Sequence, residues 1–419
     1  MTIKSLAEIA DIEISGVDKK TNEGEQTVKL CNFTDVYYNW DLDAKDSEHF
    51  MIASATPKEI DKFALFANDV VITKDSETRD DIGISCHITE DMPNTILGYH
   101  CALIRPHKGI DGGYLNACLK TITSRKYFSN QASGSGQRYT LSVSGIGSVR
   151  IPIVDYEEQK KIARLIANIN NKVRCNNRIN DNLQQLIRLI YNDYFIQFRV
   201  NRKTISQLSL NKQLKRQIPN DWTVKPFESL VSEVTTGLNP RDNFKLTSAG
   251  YKYITVKNLT SNGTLVFDGC DFVDESAKKQ IQRRAKVKKG DILFASIAPL
   301  GRCYAVLEDP FDWVINESVF CIKPKDESLQ LYLYLFLTSD FFIKKAEHSS
   351  AGSIFSGIRI STLNTIPTVI PSDDVIRSFN QTVMPLFDKI NAINKENTEL
   401  LALRKDILPL LMNGQVSLR

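Results

Sequence analysis

Two stretches of the chain, each about 40 residues long, carry the same apolar repeat, and this restricts the fold more than any other feature. From Asp155 the first reads as one helix, with apolar side chains at Ile162, Ile166, Ile169, Val173, Leu183, Ile187, Ile190 and Tyr194. The steps alternate four and three, and Asn176 and Asn180 fill the two remaining places. From Ser372 the second stretch repeats the pattern at a constant offset of 217, through Phe379, Val383, Leu386, Ile390, Ile393, Asn397, Leu400, Ile407 and Leu411, with Arg404 interrupting once. An a/d seam sustained over more than four heptads is the signature of a coiled coil. Asn180 and Asn397 share one seam position, where a buried amide fixes register at some cost in stability. The centre of the expected helix–helix seam is therefore Ile169, Val173, Asn180 and Leu183 against Leu386, Ile390, Asn397 and Leu400. Asp155 before Glu157 and Glu158, and Ser372 before Asp373 and Asp374, mark the helix starts; Asn413-Gly414 supplies a left-handed stop.

What precedes each helix also repeats. Leu6-Ala-Glu-Ile9 with Gly16 lines up with Phe227-Glu-Ser-Leu230 and Gly237; Asn32-Phe33-Thr34 with Asn258-Leu259-Thr260; Ile104-Arg105-Pro106 with Ile322-Lys323-Pro324; and Tyr114-Leu115 with Tyr332-Leu333. The strand after Asn68-Asp69 matches the one after Gly290-Asp291, and Ser133-Gly134-Ser135-Gly136 matches Ser350-Ala351-Gly352-Ser353, both read as small-residue loops. Short β-branched runs between helical patterns and glycine-marked loops make the segments before the helices mixed α/β. The fold class expected is α+β: two α/β domains alternating with two long antiparallel coiled-coil helices, as a pseudo-two-fold internal repeat. The boundaries are a first domain at 1–154, a helix at 155–198, a basic linker at 199–219, a second domain at 220–371, a helix at 372–413 and a tail at 414–419.

The composition excludes several classes. The N-terminus has no basic and apolar signal pattern, and no apolar run reaches the ~18 residues of a membrane span, so a soluble cytoplasmic protein with no membrane association is expected. Eight scattered cysteines without a CxxC pair read as reduced buried thiols, with no disulfide framework and no metal site. Net charge is only +4, but it is clustered. Phe195–Asn220 holds six basic residues and no acidic one; Lys278–Lys289 holds seven without a carboxylate. There is no GxxxxGK[ST] nucleotide loop, no Asp/Asn-Pro-Pro-aromatic run for an extruded adenine, and no Ser or Cys convincingly paired with His and a carboxylate. Asp155 with Glu158-Gln159-Lys160 superficially resembles a nuclease motif, yet at a helix start acids serve the dipole. A catalytic site is not expected.

Several motifs resemble the specificity subunits of type I restriction–modification enzymes, over essentially the whole chain. Ile218-Pro-Asn-Asp-Trp222 with Phe227, Leu230 and Gly237 is similar to the opening of a target-recognition domain. Ile190-Tyr-Asn-Asp-Tyr-Phe-Ile-Gln-Phe198 and Leu403-Arg-Lys-Asp-Ile-Leu-Pro-Leu-Leu-Met-Asn-Gly414 resemble the ends of the family's two conserved helices, and Glu158-Gln159-Lys-Lys-Ile162 the start of one. The chain departs from the pattern at Val154, at Ile376 where glutamine is usual, and in lacking a Pro/Trp opening in its first domain. The resemblance implies that each domain reads one half of a split double-stranded DNA target while the helices set the unread spacer. It also implies partners: two copies of a DNA adenine methyltransferase subunit, and restriction (motor-nuclease) subunits. S-adenosylmethionine would then belong to the methyltransferase and ATP and Mg to the motor-nuclease, leaving this chain without a cofactor. A coiled-coil scaffold whose domains bind protein is the alternative, and absent or salt-insensitive DNA binding would distinguish it.

Phosphates are met by Lys, Arg and backbone amides, and base edges by Arg, Lys, Asn, Gln, Ser or Thr on groove-facing loops. In the first domain the candidates are Lys74 and Arg79, after an apolar strand, and Gln137 and Arg138, after the small-residue loop. Lys19 and Lys20 join them, aligned with Asn239 to Arg241 of the other copy. In the second domain they are Arg241, Arg302, Ser353 and Arg359.

Overall fold

In the computed structural model the two heptad stretches are helices of 40 residues each, Tyr156–Phe195 and Asp373–Met412. The structure describes residues 2–201, 203–205, 207–267, 269–350, 357–416 and 418, with the backbone alone at 135, 349 and 350. Asp155 accepts the Glu158 amide at 3.0 Å, capping the first helix where the sequence placed its start. That helix ends three residues before the expected 198, and Phe198 then turns left-handed at φ 56°. Beyond the second helix Gly414 has φ 69°, a conformation that glycine adopts without strain.

The chain divides into two compact units, residues 1–177 with 394–419 and residues 178–393. Each contains one α/β domain, the first half of the long helix following it, and the second half of the other long helix. In the first unit Ile162 and Ile166 share a core with Leu408, Leu411 and Met412, while Asn176 bonds Asn397. Positions rise along one helix as they fall along the other, so the pair is antiparallel. In the second unit Tyr194 stacks edge-on to Phe379, and Ile187, Tyr191 and Phe195 share a core with Phe379, Val383 and Ile390. Ile169, Asn180, Ile390 and Asn397 are buried; Val173, Leu183, Leu386 and Leu400 are half-buried.

The domains have one topology. In the first, an antiparallel run of strands takes the order Ala10–Ile14, Cys101–Pro106, Val70–Thr73, Ser85–Ile88, with Asp41–Leu42 added in parallel at the edge. In the second the order is Val231–Thr236, Val319–Pro324, Ile292–Ala295, Cys303–Ala305. Each domain adds a smaller sheet with one antiparallel and one parallel pairing: Met51–Ala55, Gln26–Cys31, Thr95–Leu97, and Asp271–Val273, Tyr251–Ile254, Trp313–Ile315. A two-stranded ribbon leads into each long helix, Thr2–Ser5 with Arg150–Ile153 and Thr223–Pro226 with Pro367–Ile370. The matched tyrosines do the same work, Tyr114 donating to the Pro152 carbonyl at 2.7 Å and Tyr332 to that of Val369 at 2.5 Å.

The repeat extends to one loop, bond for bond. Asp69 accepts the Phe66 amide and is clamped by Arg105, which also reaches the Ala64 carbonyl; Asp91 accepts the Ala67 amide. In the second unit Asp291 accepts the Lys288 amide and Lys323, which reaches the Lys286 carbonyl; Asp309 accepts the Lys289 amide. Asn68 (φ 77°) and Gly290 (φ 91°) make the same left-handed turn.

Three local features differ from the sequence reading. The 199–219 segment includes two antiparallel ribbons, Arg199–Val200 with Lys203–Thr204 and Leu208–Asn211 with Arg216–Pro219. Ser133–Ser135 is a strand, hairpinned to Arg138–Thr140 across Gly136-Gln137, since Gly136 supplies the positive φ that a two-residue hairpin requires. Arg404 is no defect in the seam: it turns to the Asn170 amide oxygen and lies over the Trp40 ring, 4.1 Å from its centroid.

The polar centre of the first unit's seam is fully bonded at Asn176 and Asn397. Asn176 donates to Asn397 and to Glu396, both at 2.8 Å, and Asn397 donates to Asn177 at 2.9 Å. Asn397→Ala strands these partners and is expected to cost about 1–3 kcal/mol in denaturant unfolding. Asn176→Leu with Asn397→Leu should cost less than the single change, because it removes both amides of the bonded pair together.

Candidate nucleic-acid interface

In the first domain the strand Val70–Thr73 runs out at Lys74-Asp75, the strand Cys101–Pro106 begins after His100, and Gln26–Cys31 ends at Asn32. These ends converge on a cleft of about 640 Å³. One wall carries Phe33, Tyr37 and Tyr38, the first two stacked with centroids 5.4 Å apart. Tyr38 is 77% exposed, an unusual setting for so large a ring and one that suits stacking on a partner. The facing side is the tip of the glycine hairpin, where Gln137 and Arg138 are exposed. A Cβ at Gly134 would sit 2.1 Å from the Arg138 carbonyl oxygen, so only glycine lets the hairpin close there.

Asp75 organises this cleft. Its carboxylate is buried and accepts from Lys74 Nζ at 2.8 Å, His100 Nδ1 at 2.8 Å and Arg138 Nη2 at 3.2 Å. With Nδ1–H directed at the carboxylate, Arg138 Nη2, 3.0 Å from the same ring nitrogen, is held by Asp75 rather than by the ring. Burial alone would raise the Asp75 pKa, but the donors Lys74, His100 and Thr140 outweigh it and bring it down to about 2. The stabilisation from this depressed carboxyl is complete above its unfolded value and is lost as pH falls through about 2. Tyr37 donates to Asp81 at 2.6 Å, and that bond, with burial, pushes its phenol up to about 12.

The candidates from sequence fall out as follows. Lys19, Gln137 and Arg138 line the cleft. Arg79 is exposed, stacked over Tyr139 at 5.3 Å. Lys74 is committed to Asp75, so its cation serves the hub rather than standing free. Lys20 is exposed and pairs with Asp18 at 3.5 Å. Tyr37, Tyr38, Asp75 and His100 are cleft residues beyond the sequence candidates, and the aromatic spacing from Phe33 to Tyr38 is their one signal in the sequence.

In the second domain the corresponding sheet end follows Ile292–Ala295. The Arg302 carbonyl accepts the Ala295 amide at 2.9 Å, and the Ser296 carbonyl accepts the Ile358 amide at 2.8 Å, bringing Arg302 and Arg359 to that end. Arg302 is half-buried, its guanidinium toward the Val256 carbonyl, and Arg359 is exposed. Arg241 is exposed in the turn after Gly237, a position held to glycine because a Cβ would fall 1.7 Å from the Ile315 carbonyl oxygen. Ser353 lies outside the described residues, as does most of the loop matched to Ser133–Gly136.

The first domain's cleft is tied to the helix halves of its own unit. Beyond Tyr38, Trp40 lies between Arg404 and Lys120, whose Nζ is 4.7 Å from the ring centroid. Asp41 accepts from Asn170 at 2.8 Å, and Asp43 from Arg174 at 3.0 Å. Among the described residues no group of three or more His, Cys, Asp or Glu side chains is arranged to hold a metal ion, and no helix is long and apolar enough to cross a membrane.

Two units alike in topology, with different side chains at the same sheet end, define a duplicated recognition protein. The family model described as the type I restriction modification DNA specificity domain matches residues 1–185 and 219–402. The chain belongs to that family, and DNA recognition is its function. It is similar to the type I restriction enzyme MjaIX specificity subunit of Methanocaldococcus jannaschii, with 25% identity over 316 residues, 75% of this chain and 71% of that one. Against the HindI specificity subunit of Haemophilus influenzae the identity is 21% over 398 residues, covering 81% of this chain and 85% of that one. Among solved structures the S subunit of a type I restriction–modification system from M. genitalium shares the fold, at a TM-score of 0.53 and 14% identity, covering 98% of this chain and 95% of that one. The protein-binding scaffold reading is set aside by this membership.

Arg138→Ala should relax discrimination at one base pair of the target by about 1–3 kcal/mol. Asp75→Asn should do the same indirectly, by releasing Arg138 and Lys74 from their shared acceptor. Methylation of a library randomised across the target reads both, and the remainder of the motif should stay unchanged.

Proposed function

We propose that the chain reads a two-part double-stranded DNA target, one part at the sheet end of each α/β domain, and positions partner subunits that perform the chemistry. The observation that carries this reading is the duplicated framework with unlike surfaces: the cleft of Phe33, Tyr38, Gln137 and Arg138 in one domain, and Arg241, Arg302 and Arg359 in the other. A shared framework with separate surfaces suits two independent readers, because surface residues can change without disturbing the fold.

The partners proposed are two copies of a DNA adenine methyltransferase subunit and, for restriction, motor-nuclease subunits. Leu186 and Leu403 occupy the same place in the two long helices and are 43% and 49% exposed, a pair of equivalent apolar sites that supports two equivalent dockings. On this reading the chain itself is non-catalytic and needs no cofactor. S-adenosylmethionine is the methyltransferase's, and ATP and Mg are the motor-nuclease's. The complex works in the cytoplasm of a bacterium or archaeon.

Adenine methylation mapped in a host expressing the methyltransferase with and without this chain tests the proposal. A two-part motif appearing only with the chain is the expected result; unchanged methylation refutes it. Exchanging residues 1–154 for those of another family member should alter one part only, and a change in both would contradict independent readers.

A further inference from the structure

The loop built bond for bond alike in the two units differs in what it displays. Where the first unit has Ala64, Phe66 and Ala67, the second has Lys286, Lys288 and Lys289, on the same backbone turn and the same carboxylate–cation clamp. The fold therefore does not require these lysines. Each projects from a backbone already pinned: Asp291 and Asp309 take the amides of Lys288 and Lys289, and Lys323 takes the Lys286 carbonyl. All three side chains are exposed, as are Arg283 and Arg284 at the end of the preceding helix, Glu275–Arg284. None of the five forms an ion pair with a described residue, whereas Lys278 and Lys279 pair with Glu275, and Lys323 pairs with Asp291.

These cations ring a basin of about 460 Å³, whose lining carboxylates are Glu233, Glu327 and the already neutralised Asp291. Asp309 also lies beside the loop. The basin stands at the start of the strand Ile292–Ala295, and the reading surface stands at its other end. Helix-end arginines also favour the dipole's negative end, which accounts for Arg283 and Arg284 without a ligand. It does not account for the three lysines beyond the helix.

We propose that this basin is a second, sequence-independent contact for the phosphate backbone of duplex DNA, separate from the base-reading end of the domain. A phosphate backbone asks only for cations, and the basin offers no exposed large apolar side chain. Protein interfaces centre on apolar and aromatic residues and are poor in lysine, so an acidic protein fits the surface less well. The inference rests on the DNA-recognition reading only for the identity of the polyanion.

The test uses the full chain assembled with its methyltransferase, carrying Lys286→Ala, Lys288→Ala and Lys289→Ala. The first unit's loop has alanine at two of these places, so the variant should fold, and an unchanged unfolding midpoint checks it. Three lost phosphate contacts flatten the dependence of log affinity on log salt by about 2.7. The unaltered complex should then lose about 40-fold more affinity than the variant between 50 and 200 mM salt, on target and non-target duplexes alike. The methylated motif should not change, and the Lys→Arg triple variant should keep the original slope. An unchanged slope overturns the proposal. So does a motif altered by the alanine variant, which would make the lysines base readers, or an unchanged slope with weakened methyltransferase association, which would assign the basin to an acidic protein. Failure of the DNA-recognition reading itself would appear separately, as no preference for the target by the unaltered complex.

Discussion

On one face of its central sheet, neither α/β domain closes the core alone. In the first unit, Val70, Ile72 and Ile104 of the central strands share one apolar cluster with Tyr114 and Leu115. The same cluster takes in Ile162 and Ile166 from one long helix and Leu408, Leu411 and Met412 from the other. In the second unit, Ile292, Phe294 and Ile322 are joined in the same way to Ile187, Tyr191, Phe195, Phe379 and Val383. The helix seam is thus also the floor of each domain. In the first unit a heptad slip would shift not only the seam but the residues that complete the domain core, which gives Asn176 and Asn397, buried and bonded to each other, their use. An apolar seam would tolerate a slip that satisfied amides do not.

Because the framework is so heavily committed, it has diverged little where it bears the fold. The tyrosine hydroxyl on the strand leading into each long helix, the left-handed turn at Asn68 and Gly290, and the Asp69–Arg105 and Asp291–Lys323 clamps occur in both units. Where the framework does change, the replacement is internally consistent. Buried Gln159 donates to the Val154 carbonyl at 3.0 Å and accepts the Asp111 amide at 3.0 Å, fastening the start of the first helix to a loop. Ile376, in the corresponding place, is buried within the apolar core instead. One unit fixes its helix start with an amide and the other with packing, and both solutions leave the sheet end free to vary.

That division explains what the sequence makes legible. Framework features repeat, so Tyr114 with Tyr332, Asp69 with Asp291, and the two seams can be recognised by comparing the chain with itself. The cleft at the first domain's sheet end does not repeat. Asp75 is a hub only because His100 and Arg138, 25 and 63 residues away, are folded against it, and no spacing in the chain announces that meeting. Lys74 appears in sequence as a free cation after a strand; three-dimensional proximity to a buried carboxylate turns it into an internal partner. Ser133–Ser135 reads as a loop because small residues usually mark one, whereas here they allow a strand to pack under Arg138 and Tyr139.

Arg404 carries the same lesson to the link between framework and cleft. By pattern alone it is a charged residue breaking an apolar seam, a destabilising substitution. In the first unit it has two partners, the Asn170 amide oxygen and the face of Trp40, whose other cationic neighbour is Lys120. Burial, with the Arg404 charge adding to it, pulls Lys120 down to about 8, a strain on its charge that the electron-rich ring offsets. Trp40 follows directly on the aromatic wall of Phe33, Tyr37 and Tyr38, and Asp41 and Asp43 are held by Asn170 and Arg174 on the first long helix. The segment that shapes the cleft is therefore anchored in the helices rather than in its own sheet. Its position is fixed by the same register that the seam asparagines enforce, so in this unit the orientation of the cleft is a property of the helix pair.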